Sequence, residues 1–184
     1  NAYMNLSSYD SAIHSFDILL KLDTVQPLGH FNRAYCYKKK EMYNEAMTDL
    51  SKVIMYREYD FEAIGLLAEC QYLTGDTTGA LGLLDKTFLR FQSLDENGFY
   101  LRGSINLWQK QYDSAIVNFT EVTKFRNHHN DVFTLRGLAY FLTGEYQLAK
   151  VDLTSATDLN EQDMTAVFTL GIVNLRLDEK NEAY

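Results

Sequence analysis

The sequence has 184 residues, of which 46% are hydrophobic and 23% charged, and its formal net charge is -8 at pH 7. This composition excludes a disordered chain, and the acidic balance argues against binding to nucleic acid. With one proline and ten glycines the chain has little material for the tight turns of a sandwich or barrel, and no run of about 18 apolar residues predicts a membrane span.

Six short segments of the chain resemble one another. In chain order they are YDSAIHSF (9–16), YNEAMTDL (43–50), TTGALGLL (77–84), YDSAIVNF (112–119), YQLAKVDL (146–153) and KNEAY (180–184). Their alanines are separated by 34, 34, 35, 34 and 34 residues, at Ala12, Ala46, Ala80, Ala115, Ala149 and Ala183. A period this regular indicates stacked copies of one small structural unit.

Two further columns share this period and predict the structure of the unit. Twelve residues before the alanines stand small residues, where two helices can cross closely: Ala34, Ala68, Gly103, Gly137 and Gly171. Four residues after the alanines stand large apolar residues, one helical turn along: Phe16, Leu50, Leu84, Phe119 and Leu153. Each repeat is therefore predicted to be two antiparallel helices joined by a short turn. A coincidentally amphipathic helix bundle is the alternative, but it does not explain the fixed period.

The alanine column also predicts the boundaries of the repeats. We expect a single array made of a partial repeat over 1–26, whole repeats over 27–60, 61–95, 96–129 and 130–163, and a partial repeat over 164–184. The chain is expected to begin inside a first helix near Ala2 and Tyr3, and to end inside a second helix at Tyr184. We expect such an array to be a segment of a longer helical protein.

The small residue, the aromatic before the alanine and the large residue after it resemble the tetratricopeptide repeat (TPR) family. The resemblance covers the whole chain and is strongest over 96–163. It is weakest over 61–95, where Thr77 replaces the aromatic, and the proline usual at the repeat junction is missing throughout. The resemblance implies an all-α fold, a right-handed α-solenoid of antiparallel helix pairs. It also implies a non-enzymatic scaffold that binds protein or peptide segments in a concave groove lined by the first helices.

Aligning the repeats places candidate partner-binding residues in that groove. They are Phe31, Tyr35, Lys38, Tyr72, Tyr100, Leu107, Trp108, Leu138, Phe141, Phe168 and Ile172. We hypothesise that the C-terminal half takes an apolar or aromatic-bearing segment, with acidic groups of the ligand near the run Lys38-Lys39-Lys40. The alternative is that these apolar residues form interhelical core and that the lysines are a solvated helix end.

One TPR subset clamps the C-terminal carboxylate of chaperones with Lys, Asn and Arg side chains. The corresponding columns here hold Phe31 and Tyr35, Gly65 and Glu69, then Tyr100 and Ser104, so this clamp is absent. The runner-up function is self-assembly, because solenoid ends without polar caps expose apolar surface to a second copy or to the rest of a longer chain.

No catalytic, cofactor-binding or metal site is predicted. The glycines over 75–82 lack the Gly-Lys-Ser/Thr of a phosphate loop, and His128 and His129 are adjacent in a turn rather than four residues apart. Acidic residues of the second helices, Asp10, Asp49, Asp113 and Asp152, are expected to be solvated.

The compartment is not fixed by the sequence. Cys36 and Cys70 fit a reducing environment, so a soluble, cytoplasmic protein is slightly favoured. Asn1 and Ala2 match the remnant of a cleaved tag, in which case a native targeting segment is missing from this fragment.

Overall fold

A computed structural model describes the backbone of residues 2–126 and 131–182 and the side chains of residues 8–126 and 131–178. The described residues form α-helices and no strands, which confirms the all-α prediction. In chain order the helices are α1 (Ala2–Leu22), α2 (Pro27–Lys39), α3 (Tyr43–Tyr56), α4 (Phe61–Leu73), α5 (Thr77–Phe91), α6 (Glu96–Trp108), α7 (Tyr112–Val122), α8 (Val132–Thr143), α9 (Tyr146–Leu159) and α10 (Met164–Glu182).

Local sequence explains where several helices begin. Pro27 occupies the first turn of α2, where its missing N–H costs no hydrogen bond. The Asp60 carboxylate accepts a hydrogen bond from Ala63 N at 3.1 Å and caps α4. The Asp76 carboxylate accepts one from Gly79 N at 2.8 Å and caps α5. The repeat boundaries themselves stay a prediction, although α2, α4, α6 and α10 start at residues 27, 61, 96 and 164.

Each turn from a first helix to a second helix contains one residue in the left-handed conformation. Gly75 and Gly144 have φ angles of 90° and 85°, while Glu41 and Lys110 have φ angles of 60° and 62°. All four stand five residues before an alanine of the repeat column. The same turn geometry therefore recurs, but only two repeats place glycine where it is sterically easiest.

The small-residue column packs as predicted in α2, α6 and α8, whereas Gly171 of α10 is exposed and a Cβ built on it would meet nothing within 4 Å. A Cβ built on Gly103 would lie 2.8 Å from Phe119 Cε1, and a Cβ built on Gly137 would lie 2.8 Å from Leu153 Cγ. Because these distances are shorter than ordinary carbon contacts, the paired helices α6 and α7, and α8 and α9, cross too closely there for a larger residue. Ala34 fills the same column in α2 and is fully buried.

The expected turns at both ends are wrong. Residues 2–22 form one uninterrupted helix, so no separate first helix ends before Tyr9. Residues 180–182 continue α10 instead of starting a second helix. Ala183 and Tyr184 lie outside the described residues. A turn of this kind gains stability only when a second helix packs back onto the first, and no such packing competes with helix propagation here.

The chain divides into two compact units, Asn1–Gly98 and Phe99–Tyr184. In the first unit a buried cluster joins α2, α3 and α4: Ala34, Ala46, Leu50, Val53, Ala63, Leu66 and Cys70. In the second unit a buried cluster joins α9 and α10: Ala149, Leu153, Ala156, Ala166, Val173 and Leu177. Both clusters contain a repeated alanine and the large residue four positions later, Ala46 with Leu50 and Ala149 with Leu153.

Candidate functional site

The candidate residues lie on the first helices of the pairs, and we call their shared surface the first-helix face. In the first unit it comprises residues 31, 35 and 38 of α2 and residues 65, 69 and 72 of α4. Spacings of three and four residues keep each set on one side of its helix. Tyr35 is exposed, whereas Phe31, Lys38 and Tyr72 are half-buried, and Phe31 packs against the core cluster.

The lysine run at the end of α2 is already engaged by other side chains. Lys38 Nζ lies 2.5 Å from Glu69 Oε2, which joins the first helices α2 and α4 by an ion pair. Lys39 Nζ lies 5.2 Å from the centre of the Tyr35 ring. Lys40 pairs with Asp10 of α1. Two of the three cations are thus paired with carboxylates of this chain, while Lys39 is exposed. The hypothesis of an acidic ligand group at this run stays a prediction.

In the second unit the first-helix face is formed by α6, α8 and α10. Two of its candidate residues are largely exposed to solvent: Trp108 is 80% exposed and Phe168 is 71% exposed. The other candidates are half-buried: Tyr100, Leu107, Leu138, Phe141 and Ile172. None of the eleven candidates is fully buried, so all of them present some surface.

Two of the half-buried aromatics also have structural contacts. The Tyr100 hydroxyl donates a hydrogen bond to Asp131 Oδ2 at 2.6 Å, and its ring packs against Phe119 with centroids 6.2 Å apart. Phe141 packs against the core cluster of the second unit, and its ring centroid lies 6.0 Å from that of Tyr146. For Tyr100 and Phe141 the alternative of interhelical packing therefore holds alongside any role in binding.

The three columns of this face carry no Asp, Glu, Lys, Arg or His in the second unit. The columns are residues 100, 134 and 168, residues 104, 138 and 172, and residues 107, 141 and 175, so besides six of the candidates they contain Ser104, Thr134 and Leu175. Trp108 lies beside them, at the repeat position of Leu142 and Arg176. Thr134 is buried and donates a hydrogen bond to Asp163 Oδ2 at 2.6 Å, whereas Leu175 is exposed. A surface of this composition can bury apolar and aromatic side chains of a ligand without leaving an unpaired charge.

Two acidic residues that the sequence predicts to be solvated are buried instead. Asp49 accepts hydrogen bonds from Arg33 Nε and Nη2, both at 2.7 Å. Asp152 accepts hydrogen bonds from Arg136 Nε at 2.7 Å and Nη2 at 2.8 Å. These bonds to Asp49 and Asp152 are the main cause that raises the pKa of each arginine. The expectation of solvation was wrong for Asp49 and Asp152 because each neutralises a first-helix cation within its own helix pair.

A signal for these pairs is present in the sequence. Each arginine stands 16 residues before its carboxylate. At the same positions Arg102 Nη1 donates to Asn118 Oδ1 at 3.1 Å, again over 16 residues. The repeat over 61–95 replaces both partners together, with Leu67 and Leu83. In each of these four repeats the two positions are therefore either both polar or both apolar.

His30 joins the first of these buried pairs. Its Nδ1 lies 2.8 Å from Asp49 Oδ1, and its Nε2 lies 3.2 Å from the carbonyl oxygen of Thr24. The Arg33 guanidinium also donates to Asp17 of α1 at 2.6 Å. This network ties α1, α2 and α3 together and leaves His30 no free nitrogen for a metal or substrate.

The two cysteines are free and buried. Burial raises the pKa of the Cys70 thiol to about 11 and also raises the pKa of Cys36. Both are therefore protonated at neutral pH and are poor nucleophiles. Over the side chains that the structure describes, no group of three His, Cys, Asp or Glu residues is arranged to hold a metal ion. His128 and His129 lie outside the described residues.

No helix within the described part of the chain combines the length and apolar character needed to cross a bilayer. Comparison with curated protein sequences gives no match.

The sequence model described as tetratricopeptide repeat matches residues 29–60 and 131–163. Among solved structures the fold is similar to that of YrrB, described as a TPR protein with an unusual peptide-binding site. The two sequences are 22% identical, and the structures superpose with a TM-score of 0.65 over 88% of this chain and 83% of that chain. It is similar to MamA of Desulfovibrio magneticus RS-1 at 21% identity and a TM-score of 0.67, over 85% and 88% of the two chains.

A third similar structure is the C-terminal part of a TPR repeat-containing protein of Cytophaga hutchinsonii. It is 18% identical, with a TM-score of 0.69 over 97% of this chain and 71% of that chain. At such identities the likeness to these structures concerns the fold alone. The two matched segments confirm the resemblance predicted from the sequence: the chain contains tetratricopeptide repeats, at residues 29–60 and 131–163.

Proposed function

We propose that this protein is a non-enzymatic interaction scaffold that binds an apolar or aromatic-bearing segment of a partner protein. The binding surface is the first-helix face of the second unit. The observation that carries this proposal is the exposure of Phe168 within three columns that contain no charged residue, together with the exposure of Trp108 directly beside them.

Exposed aromatic rings of this kind cost free energy in water, and burying them against a partner recovers it. A large aromatic side chain that passes from exposed to buried contributes roughly 1.5–3 kcal/mol. Tryptophan and tyrosine are also the residue types that most often dominate binding energy at protein interfaces. The half-buried Leu138 and Ile172 supply apolar surface beside them.

The first unit contributes differently to the proposal. Its first-helix face holds Tyr35 and Tyr72 around the ion pair of Lys38 and Glu69. A partner segment that reached this face would meet a neutral, hydrogen-bonding surface rather than a cationic one. We therefore propose that this face does not require acidic groups on its ligand. YrrB, which shares the fold, is described as having an unusual peptide-binding site.

A selection from random peptides displayed on phage tests the proposal directly. Peptides enriched on the wild-type chain are then titrated by calorimetry into Trp108→Ala and Phe168→Ala. Both side chains are exposed, so these changes leave the fold intact. Each variant is expected to weaken binding at least tenfold, about 1.4 kcal/mol.

The matched control is Val151→Ala, since Val151 is exposed on the second helix α9 of the same unit. Binding by this variant should equal that of the wild type. The proposal fails if the selected peptides bind Trp108→Ala and Phe168→Ala with unchanged affinity, or if Val151→Ala loses binding as they do.

A further inference from the structure

A cavity of about 340 Å³ lies between α1 and α3, with α2 beneath it. Its volume is at the lower end of the range found for pockets that hold small organic molecules. Residues 30 and 33 of α2 line it, whereas the first-helix face uses residues 31, 35 and 38 of that helix. A ligand in this cavity would therefore occupy a different site from the partner segment proposed above.

Two lysines line the cavity without a carboxylate partner. Lys21 of α1 and Lys52 of α3 are both exposed, and neither ammonium group forms an ion pair with any of the side chains that the structure describes. By contrast, Lys38 and Lys40 are both paired with carboxylates of this chain. The ammonium groups of Lys21 and Lys52 are therefore available to an anionic ligand.

The charges around the cavity leave a positive excess. The Arg33 guanidinium lines it from below and donates hydrogen bonds of 2.6–2.7 Å to Asp17 and Asp49, so both carboxylates are already neutralised in part. Together with Lys21 and Lys52, three cations face these two carboxylates. The excess of one positive charge lies on the two lysines, in a chain whose net charge is -8. An anion is attracted here although the whole molecule repels it.

The cavity also has an apolar wall. Met55 and Tyr56 follow Lys52 on α3 and are 69% and 43% exposed, and Leu20 of α1 lies nearly buried behind them. Apolar atoms of a ligand that pack against these side chains are removed from water, which is favourable. The lining therefore suits an anion with an apolar body better than a bare inorganic ion.

The next repeat contains the corresponding cavity in a smaller form. It lies between α3 and α5 over α4, and its volume is about 160 Å³. The repeat positions of Thr24 and Tyr56 are there occupied by Glu58 and Arg90, which line the cavity and form an ion pair. Residues of the preceding helix α2 do not line it, so a cavity of this kind is built by three consecutive helices. By that comparison, α1, α2 and α3 form the larger cavity completely.

We propose that the cavity over α2 binds a small organic anion, a phosphate or carboxylate group attached to an apolar body. The oxyanion interacts with the ammonium groups of Lys21 and Lys52, and the apolar body packs against Met55 and Tyr56. The site lies apart from the first-helix face, so the inference goes beyond the proposed function and does not depend on it.

Titration of phenyl phosphate into ¹⁵N-labelled protein, followed by NMR, tests the inference. Shift changes are expected at the amides of residues 17–24 and 52–57, with a dissociation constant of about 1 mM or below. Benzoate should shift the same amides, because it carries a carboxylate on the same ring. Benzyl alcohol keeps the ring without the charge and should bind more weakly by about tenfold or more.

Variants separate the two parts of the site. Lys21→Gln/Lys52→Gln removes both free charges and should weaken phenyl phosphate by about tenfold or more, with wild-type helicity because both side chains are exposed. The matched control is Lys86→Gln, since Lys86 has the repeat position of Lys52 in the smaller cavity. It should bind as the wild type does. Tyr56→Ala should weaken phenyl phosphate but leave the weaker binding of inorganic phosphate unchanged.

Any of three results would overturn the inference: phenyl phosphate that shifts none of the cavity amides, a loss of binding in Lys86→Gln equal to that of the double variant, or Tyr56→Ala with unchanged binding. A short peptide containing phosphotyrosine that bound about tenfold tighter than phenyl phosphate would also overturn it, because the ligand would then be a partner protein. Trp108→Ala separates this site from the first-helix face. It should bind phenyl phosphate normally even though it loses the selected peptides.

Discussion

Arg136 and Asp152 form a bidentate, buried ion pair between α8 and α9, with N···O distances of 2.7 and 2.8 Å. The arginine also reaches the preceding second helix, because its Nη1 donates to Thr120 Oγ1 at 3.2 Å. Arg33 repeats this arrangement between Asp49 and Asp17. A single first-helix side chain thus connects its own second helix to the one before it.

Breaking this pair one residue at a time should destabilise the protein strongly. Arg136→Leu leaves the Asp152 carboxylate buried without its counter-ion, and we expect the free energy of unfolding to fall by about 3 kcal/mol or more. The double variant Arg136→Leu/Asp152→Leu copies the natural combination of Leu67 and Leu83, and most of the loss should be recovered. Urea denaturation measures all three. A double variant as unstable as Arg136→Leu would contradict this account.

The close crossing of α8 and α9 predicts that the small residue at position 137 is required. In Gly137→Ala the new Cβ would lie 2.8 Å from Leu153 Cγ, so the helices must separate or Leu153 must move. We expect a loss of about 1–3 kcal/mol in the free energy of unfolding. Gly171→Ala is the matched control, since the same change there meets no neighbour. It should stabilise α10 slightly, and equal losses in both variants would disprove the packing argument.

The left-handed turn residues predict a stabilising substitution. Lys110 has a φ angle of 62°, a conformation that costs a residue with a Cβ about 1 kcal/mol or more relative to glycine. Lys110→Gly should therefore raise the free energy of unfolding, by up to about 1 kcal/mol after the entropy lost by glycine is counted. The reverse change, Gly144→Lys, should lower it. Thermal denaturation of both variants checks the signs, which must be opposite.

Asp95 predicts a pH dependence of stability. Its carboxylate accepts a hydrogen bond from Gly98 N at 2.8 Å at the start of α6. The same carboxylate lies against Gly65 of α4, where a Cβ would overlap with it. Burial, assisted by the charges of Glu62 and Glu96, raises the pKa of Asp95 to about 7. The folded state then holds a proton that the unfolded state releases near pH 4, so Asp95 stabilises the fold at low pH. This stabilisation is lost as the pH rises to 7, by at most about 1.4 kcal/mol per pH unit.

Asp95→Asn isolates this contribution, because asparagine keeps the capping hydrogen bond without the ionisation. The difference in unfolding free energy between wild type and Asp95→Asn should change between pH 4 and pH 7 in the direction given above and level off beyond. Asp76→Asn, which alters the exposed cap of α5, is the control and should show a much smaller change. A difference that does not vary with pH would contradict the raised pKa.

The period of the alanine column predicts the helix pairs because close packing demands a small residue at a fixed place, as at Gly137. It does not predict the burial of Asp49 and Asp152, because residue type alone assigns an acidic side chain to solvent. Their partners become apparent only when columns 16 residues apart are compared. The ends were mispredicted for a related reason. Extending the repeat period places a turn near residue 178, within α10, but such a turn is stable only when the helix that follows it packs against the helix before it.

The candidate face is predictable in outline only. Spacing alone selects Trp108 and Phe141 as neighbours on first helices, but it cannot tell that Trp108 stands in solvent while Phe141 rests against a core cluster. That difference depends on how far each side chain extends beyond the adjacent helix.

The paired exchange of Arg and Asp for Leu67 and Leu83 restricts how this protein can be recombined. A whole repeat carries both members of its pair and can be moved as a module. Half a repeat cannot be moved in this way, since pairing α8 with α5 would bury Arg136 against Leu83 without a counter-ion. The exchangeable unit for building longer or shorter versions of this chain is therefore the complete helix pair, and grafts that cut at the turn between its helices should fail.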